Sequence, residues 1–246
     1  MSARMDDGKG DWFEGIPGFL DRRKLVYTFS MLNAYRNCGE QMNQTYIEKS
    51  IPYDETPERK KGNDLHKAME YRVPGGKPLP DGMQQYEQFA AAFDGRNAIS
   101  EPELGVTRNC AACGYWDDKT QDPNKRVWVR GRADVVVLGA TAAYLCDWKS
   151  GRDNIKYEDS FELAVQAMLL QAKYPAIKKI VGQYAWLQTM RMSTLYDLSD
   201  TDATWVEINE LAASIESDRV RGFEKKRSGL CGYCGYRACE NWRPRT

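Results

Sequence analysis

Apolar residues along this chain change their period near residue 100. Before that point they recur at helical spacing. Met83, Tyr86, Phe89, Ala90 and Phe93 share one face of a helix predicted over 83–95. Two earlier helices are predicted: Met31 to about Met42, capped by Ser30, and one opened by Thr56-Pro57-Glu58 and reaching about Tyr71. Val73-Pro74-Gly75-Gly76-Lys77-Pro78 reads as a loop. Beyond it, Glu103–Thr107 and Val127–Leu138 read as strands around an insertion, Cys110–Lys125. Leu138-Gly139-Ala140-Thr141 turns the chain into a third strand, Ala142–Trp148. A helix over Phe161–Tyr174, ended by Pro175, leads to a fourth strand over Lys179–Thr189, with Ser193–Leu198 pairing to it. Asp202 is placed to cap a long helix over roughly 203–226. The order predicts an α/β fold: a central mixed β-sheet flanked by helices, with N-terminal helices and a Cys-rich C-terminal tail.

Composition narrows the setting. The 246 residues suffice for one large domain or two small ones, and residues 1–26 read as an extended lead-in. The 35 basic residues balance the 35 acidic ones, so net charge implies no partner, and nucleic-acid binding needs a local basic patch. The polar first ten residues do not read as a signal peptide. No run approaches the roughly 20 apolar residues of a membrane span, which points to a soluble, cytoplasmic protein. In a reducing compartment seven cysteines speak for ligation rather than disulfides.

The chemistry concentrates at two strand ends. Asp134 precedes Val135-Val136-Val137, and Asp147-Trp148-Lys149 ends the third strand. Residues two apart on a strand share a face, so Asp147 and Lys149 project together while Trp148 points away. Half-buried carboxylates need a cation, and two near a lysine can hold a divalent metal. That suits phosphodiester hydrolysis by a metal-activated water that Lys149 orients. An ordinary hairpin with edge carboxylates is the plainer alternative. The single histidine, His66, and the helical Gln166 are each by themselves unremarkable.

Cys231, Cys234 and Cys239 crowd a Gly-rich tail, and three thiolates need a fourth partner, for which Cys38 is the obvious candidate. Cys110 and Cys113 read as a hairpin-tip thiol pair, and Cys146 as a small buried residue. Arg219, Arg221, Lys225, Lys226, Arg227, Arg237, Arg243 and Arg245, interleaved with Tyr233, Tyr236 and Trp242, form a basic stretch. Arg59-Lys60-Lys61 is a smaller one. Aromatics among cations favour unpaired bases over duplex readout.

Asp134 and Asp147-Trp148-Lys149 resemble the PD-(D/E)XK nuclease superfamily, with Asp in place of Glu in the second slot. Gly62 to His66 is similar to the Gly-X-X-X-His helix of its RecB-like branch, which includes CRISPR-associated exonucleases. In that branch the helix after the D/E-X-K carries a Gln, here Gln166. The Tyr usual four residues later is Leu170, with Tyr174 one turn further on. The Glu of the first strand falls at Glu103, with Glu101 competing. The resemblance implies a restriction-endonuclease-like core in one domain over 27–246. It implies Mg²⁺ or Mn²⁺ on His66, Asp134, Asp147 and the Trp148 carbonyl, with Lys149 and Gln166 completing the catalytic set. It further implies a [4Fe–4S] cluster on Cys38, Cys231, Cys234 and Cys239, within a part formed by Cys38 and residues 228–246. Zinc is the alternative there, because four residues rather than the usual five separate the last two cysteines. The activity implied is DNA exonuclease action on ends or single strands, in repair, recombination, CRISPR adaptation or a phage-encoded role. A cluster-bearing DNA-binding subunit without catalysis is the alternative.

Overall fold

Side-chain alternation along one strand organises the structure, a computed structural model that describes residues 25–52, 55–122, 124–151 and 159–243. The expected lead-in over 1–26 lies outside these residues except for its last two, and so does Arg245 of the basic stretch. Nine strands are present among the described residues: β1 (Ala98–Ser100), β2 (Glu103–Val106), β3 (Ala112–Cys113), β4 (Val129–Arg132), β5 (Val135–Leu138), β6 (Ala142–Lys149), β7 (Lys179–Trp186), β8 (Arg191–Met192) and β9 (Tyr196–Asp197). A six-stranded mixed sheet runs β1-β5-β6-β7-β8, with β9 also on β7; β3-β2-β4 form a second, three-stranded sheet. β6 and β7 are parallel, which requires a crossover, and the helix α5 (Phe161–Lys173) lies in it.

The expected single strand over Val127–Leu138 is two strands. β4 belongs to the small sheet and β5 to the large one, with Ala133-Asp134 between them. Their partners break at the same level: β1 pairs with β5, β2 with β4, and Glu101-Pro102 separates them. Proline has no N–H to offer a ladder, so the pairing cannot run straight through. The Glu101 N–H donates to the Asp134 carbonyl at 3.0 Å, and Glu101 adopts a left-handed φ of 47°. The two bends therefore face each other, each carrying a carboxylate.

Helix boundaries also shift. Thr28, not Ser30, caps α1 (Phe29–Asn37) through the Met31 N–H, and the chain extends at Cys38 before α2 (Gly39–Met42). A π-turn over Asn43–Ile47 follows. The helix α3 (Pro57–Arg72) begins at the expected Thr56 cap. The expected helix over 83–95 is a 3₁₀ turn followed by the short α4 (Glu87–Ala91). Asp200 rather than Asp202 caps α6 (Thr201–Arg221), which stops at Gly222 (φ 95°), five residues before the expected end near 226. Among the described residues no helix is long and apolar enough to cross a membrane.

The large sheet separates two cores. Ala143 and Leu145 of β6 pack towards α1, α5 and α6, against Leu163, Met168 and Leu169. Cys146 and Trp148 pack the other way, against Leu65 and Met69 of α3 and against Phe93. The Trp148 ring meets Phe93 edge-on at 5.7 Å. Leu145 is completely buried on a central strand. Leu145→Ala is expected to lower stability by about 2–5 kcal/mol in equilibrium urea unfolding. A loss below about 1 kcal/mol would show that β6 is not central to the packing.

Candidate metal centre

Asp147 and Lys149 lie on the α5 side of β6, one strand period apart. Two residues of α5, spaced by one helical turn, reach them. Gln166 Nε2 donates to Asp147 Oδ1 at 3.1 Å, and Glu162 Oε2 lies 2.5 Å from Lys149 Nζ. Lys149 Nζ is also 2.7 Å from Asp147 Oδ2 and stands 5.0 Å from the Tyr184 ring centroid on β7. Burial, then the charges of Asp134 and Glu162, push the Asp147 carboxyl up to about 8 against the pull of Lys149. Burial alone would lower the Lys149 ammonium, but Asp147 and Glu162 outweigh it and hold it charged above the usual lysine range.

A second group stands where the two bends meet. His66, Glu101 and Asp134 each bring one ligand atom within 4.8 Å of the others. His66 Nδ1 lies 3.5 Å from Asp134 Oδ2, and the Trp148 N–H donates to that same oxygen at 2.6 Å. Within an extended residue N–H and C=O point to the same edge, so the Trp148 carbonyl also faces the Asp134 side. Helix α3 delivers His66 by packing close to the end of β6. A methyl on Gly62 would sit 2.8 Å from Ser150 Oγ, so the helix runs close to the residue that follows β6. Burial, then Asp134 and Glu70, raise Glu101 to about 7, against the pull of His66. Burial disfavours the His66 cation, but Asp134, Asp147 and Glu101 prevail and raise its pKa.

This donor set fits a divalent cation. Carboxylates with one imidazole suit Mn²⁺ and accept Mg²⁺. Burial first, then the nearby Asp134, keeps protons on Asp147 and Glu101 that a cation would displace. Buried Gln166 Oε1 has no hydrogen-bond partner among the described residues, an acceptor turned towards no protein donor beside Asp147. Of these residues His66 and Glu101 line an open cleft of about 680 Å³, together with Arg132, Lys67 and Ser150.

Not every expected position falls here. Glu103 pairs with Arg132 at 2.5 Å and accepts from Trp116 Nε1 at 3.2 Å; Glu101 takes the place beside His66. Tyr174 caps the far end of α5, eight residues or about 12 Å beyond Gln166, and does not replace the tyrosine missing at Leu170. Glu162 and Tyr184 are additional members of the site. Glu162 was signalled by its spacing of four before Gln166, whereas nothing local marks Tyr184.

Cys38, Cys231, Cys234 and Cys239 line one pocket between α1, α2 and the tail. Backbone N–H groups point at two of the sulfurs: Lys226 N lies 3.4 Å from Cys38 Sγ, and Ser228 N 3.3 Å from Cys231 Sγ. Burial first, then the other three thiols, raise Cys234. Cys110 and Cys113 lie apart, on the hairpin of the small sheet, where Cys110 Sγ touches Met168 Sδ at 3.7 Å. Cys146 is buried beneath the large sheet. The basic tail is partly neutralised: the Arg219 side chain is buried against Glu216, and Lys225 pairs with Glu240 at 2.8 Å.

A sequence profile described as the PD-(D/E)XK nuclease superfamily matches residues 27–239. No curated protein matches the chain. Among solved structures, one described as "Crystal structure of SSO0001" superposes with a TM-score of 0.50 at 15% identity, covering 87% of this chain and 85% of that one. At that identity the likeness concerns the fold, a mixed sheet flanked by helices of the restriction-endonuclease-like kind. With the profile spanning both sheets, the candidate metal centre and the cysteine pocket, this chain belongs to the PD-(D/E)XK nuclease superfamily.

Proposed function

We propose that the protein is a metal-dependent deoxyribonuclease of the RecB-like branch, acting on DNA ends or single strands within the cell, in repair or recombination. The observation that carries this reading is the Asp147–Lys149 pair, held by Gln166 and Glu162 against the group formed by His66, Glu101 and Asp134. A non-catalytic DNA-binding subunit has no need of such an assembly. Residues 27–246 form one nuclease domain in this reading, with Cys38 and 228–246 as its cluster-binding part.

His66, Glu101, Asp134, Asp147 and the Trp148 carbonyl would hold Mg²⁺ or Mn²⁺. The ion supplies Lewis-acid polarisation of the scissile phosphoryl oxygen and of the attacking water. Lys149 supplies the fixed positive charge. Asp147, Glu162 and the Tyr184 face restrict it to one position, from which its N–H groups orient the water and meet developing negative charge on the phosphate. Gln166 fixes the Asp147 carboxylate through its Nε2, while its own carbonyl oxygen is buried without a hydrogen-bond partner among the described residues.

For the cysteine pocket the reading is [4Fe–4S] rather than zinc. The four thiols lining one pocket and the N–H groups aimed at two of the sulfurs support a cluster of bound thiolates. Protein purified without oxygen is expected to be brown, with about four irons and matching sulfide per chain, and Cys231→Ser to lose them. Colourless protein carrying stoichiometric zinc would overturn the cluster assignment.

Digestion of end-labelled single- and double-stranded DNA with Mg²⁺ or Mn²⁺ tests the activity. Lys149→Ala should reduce cleavage by at least about 10²–10³-fold, with unchanged circular dichroism. Wild-type rates in that variant, or in Asp147→Ala, would sink the assignment.

Metal occupancy has a pH signature. Asp147 and Glu101 titrate near 8 and 7, against ordinary values of 3.8 and 4.5. Each stabilises the fold while protonated, and that contribution is lost as pH rises through the raised values. A bound cation takes over from the displaced protons. The melting temperature of metal-stripped protein should therefore fall between about pH 6 and 8, and Mn²⁺ should raise it more at pH 8 than at pH 6. An equal Mn²⁺ effect at both pH values would count against a cation at these carboxylates.

A further inference from the structure

The hairpin that the catalytic reading leaves unused carries a ladder of arginines and aromatic rings beginning at the wall of the cleft. Arg132, which lines the cleft with His66 and Glu101, stacks its guanidinium 5.2 Å from the Tyr115 ring centroid. Arg130, two residues earlier and on the same face of β4, lies between two rings, 4.8 Å from Tyr115 and 5.2 Å from Trp116. The two rings meet edge-on at 4.8 Å. Glu103 fixes both ends of the ladder, pairing with Arg132 and accepting from the indole N–H of Trp116. Despite these contacts Trp116 is 62% exposed.

This is an unusual use of a tryptophan. Its ring contributes little to the core, yet an arginine, a tyrosine and a carboxylate hold it in one orientation. A large flat π-surface fixed in water suits stacking on another flat π-system, and neighbouring guanidinium groups suit phosphates. Duplex DNA hides its base faces; a single strand exposes them. A second such pair stands nearby on α3: Lys67, which also lines the cleft, lies 6.0 Å from the ring centroid of Tyr71, itself 65% exposed.

We propose that the hairpin of the small sheet is a binding platform for single-stranded DNA, on which Trp116 stacks an unpaired base while Arg130 and Arg132 hold the adjoining phosphates. Resting on the nuclease reading, this assigns the platform to the stretch of strand next to the scissile bond. It specifies a single-stranded substrate segment on this side of the cleft. The ladder is continuous with the cleft through Arg132, so a strand can pass from the metal centre to Trp116 along one surface.

The test is fluorescence anisotropy of a labelled oligothymidylate on full-length protein in metal-free buffer, beside a hairpin-closed duplex of equal length. Trp116→Ala should weaken oligothymidylate binding about tenfold, and Trp116→Phe should restore most of it, because the ring stacks without the indole N–H. Duplex binding should change less than about twofold, since stacked pairs offer no free base face. Unchanged oligothymidylate binding in Trp116→Ala would overturn the proposal. So would failure of Trp116→Phe to restore it, or an equal loss on the duplex. Wild-type cleavage is scored separately. Trp116-dependent binding without cleavage would sink the nuclease reading and leave the platform; cleavage with Trp116-independent binding would do the reverse.

Discussion

Four carboxylates, from Glu101, Asp134, Asp147 and Glu162, share one lysine and one histidine at the end of a central strand. Left to themselves these charges would repel one another strongly at low dielectric. The fold holds them together by separate means. Asp134 is gripped by the Trp148 N–H, Asp147 by Gln166 and Lys149, and Glu162 by Lys149. Burial, together with the neighbouring carboxylates, raises the titration of Asp147 and Glu101. Such crowding costs stability, and a divalent cation among the carboxylates would relieve it.

The surrounding structure serves this arrangement. The parallel pairing of β6 with β7 brings α5 across the sheet, which lays Glu162 and Gln166 over Lys149 and Asp147. The Trp148 ring anchors the opposite face of β6, so the strand end is fixed between two cores. Helix α3 approaches closely enough at Gly62 to present His66. Each device acts on backbone position, and the side chains of the site follow from it.

Alternation was legible in the sequence, and with it the division of Asp147 and Lys149 from Trp148. The Thr56-Pro57 helix start and the span of α5 were legible as well, because their signals are local. The break at Ala133-Asp134 was not. Val127–Leu138 reads as continuous because nothing within it interrupts the ladder; the interruption is Pro102 on the partner strand. The choice of Glu101 over Glu103 had the same origin. Two residues apart on a strand they would share a face, and only the left-handed turn at Glu101 separates them. Capping was ambiguous for a related reason: Thr28 and Ser30, like Asp200 and Asp202, offer side chains two positions apart, and packing elsewhere decides which is used.

The backbone bond from Glu101 to Asp134 has an evolutionary consequence. It pins the ladder where one sheet hands over to the other. Pairing of β1 with β5 is set on one side of this clasp, whatever the length or sequence of the hairpin on the other. The small sheet has a double attachment: its strands β2 and β4 pack into the core beside α5, while the stretch between residues 107 and 127 lies outside the ladder of the large sheet. The loop between residues 107 and 127 can thus change what it grips only as far as β2 and β4 keep their places against the helix that positions Glu162 and Gln166.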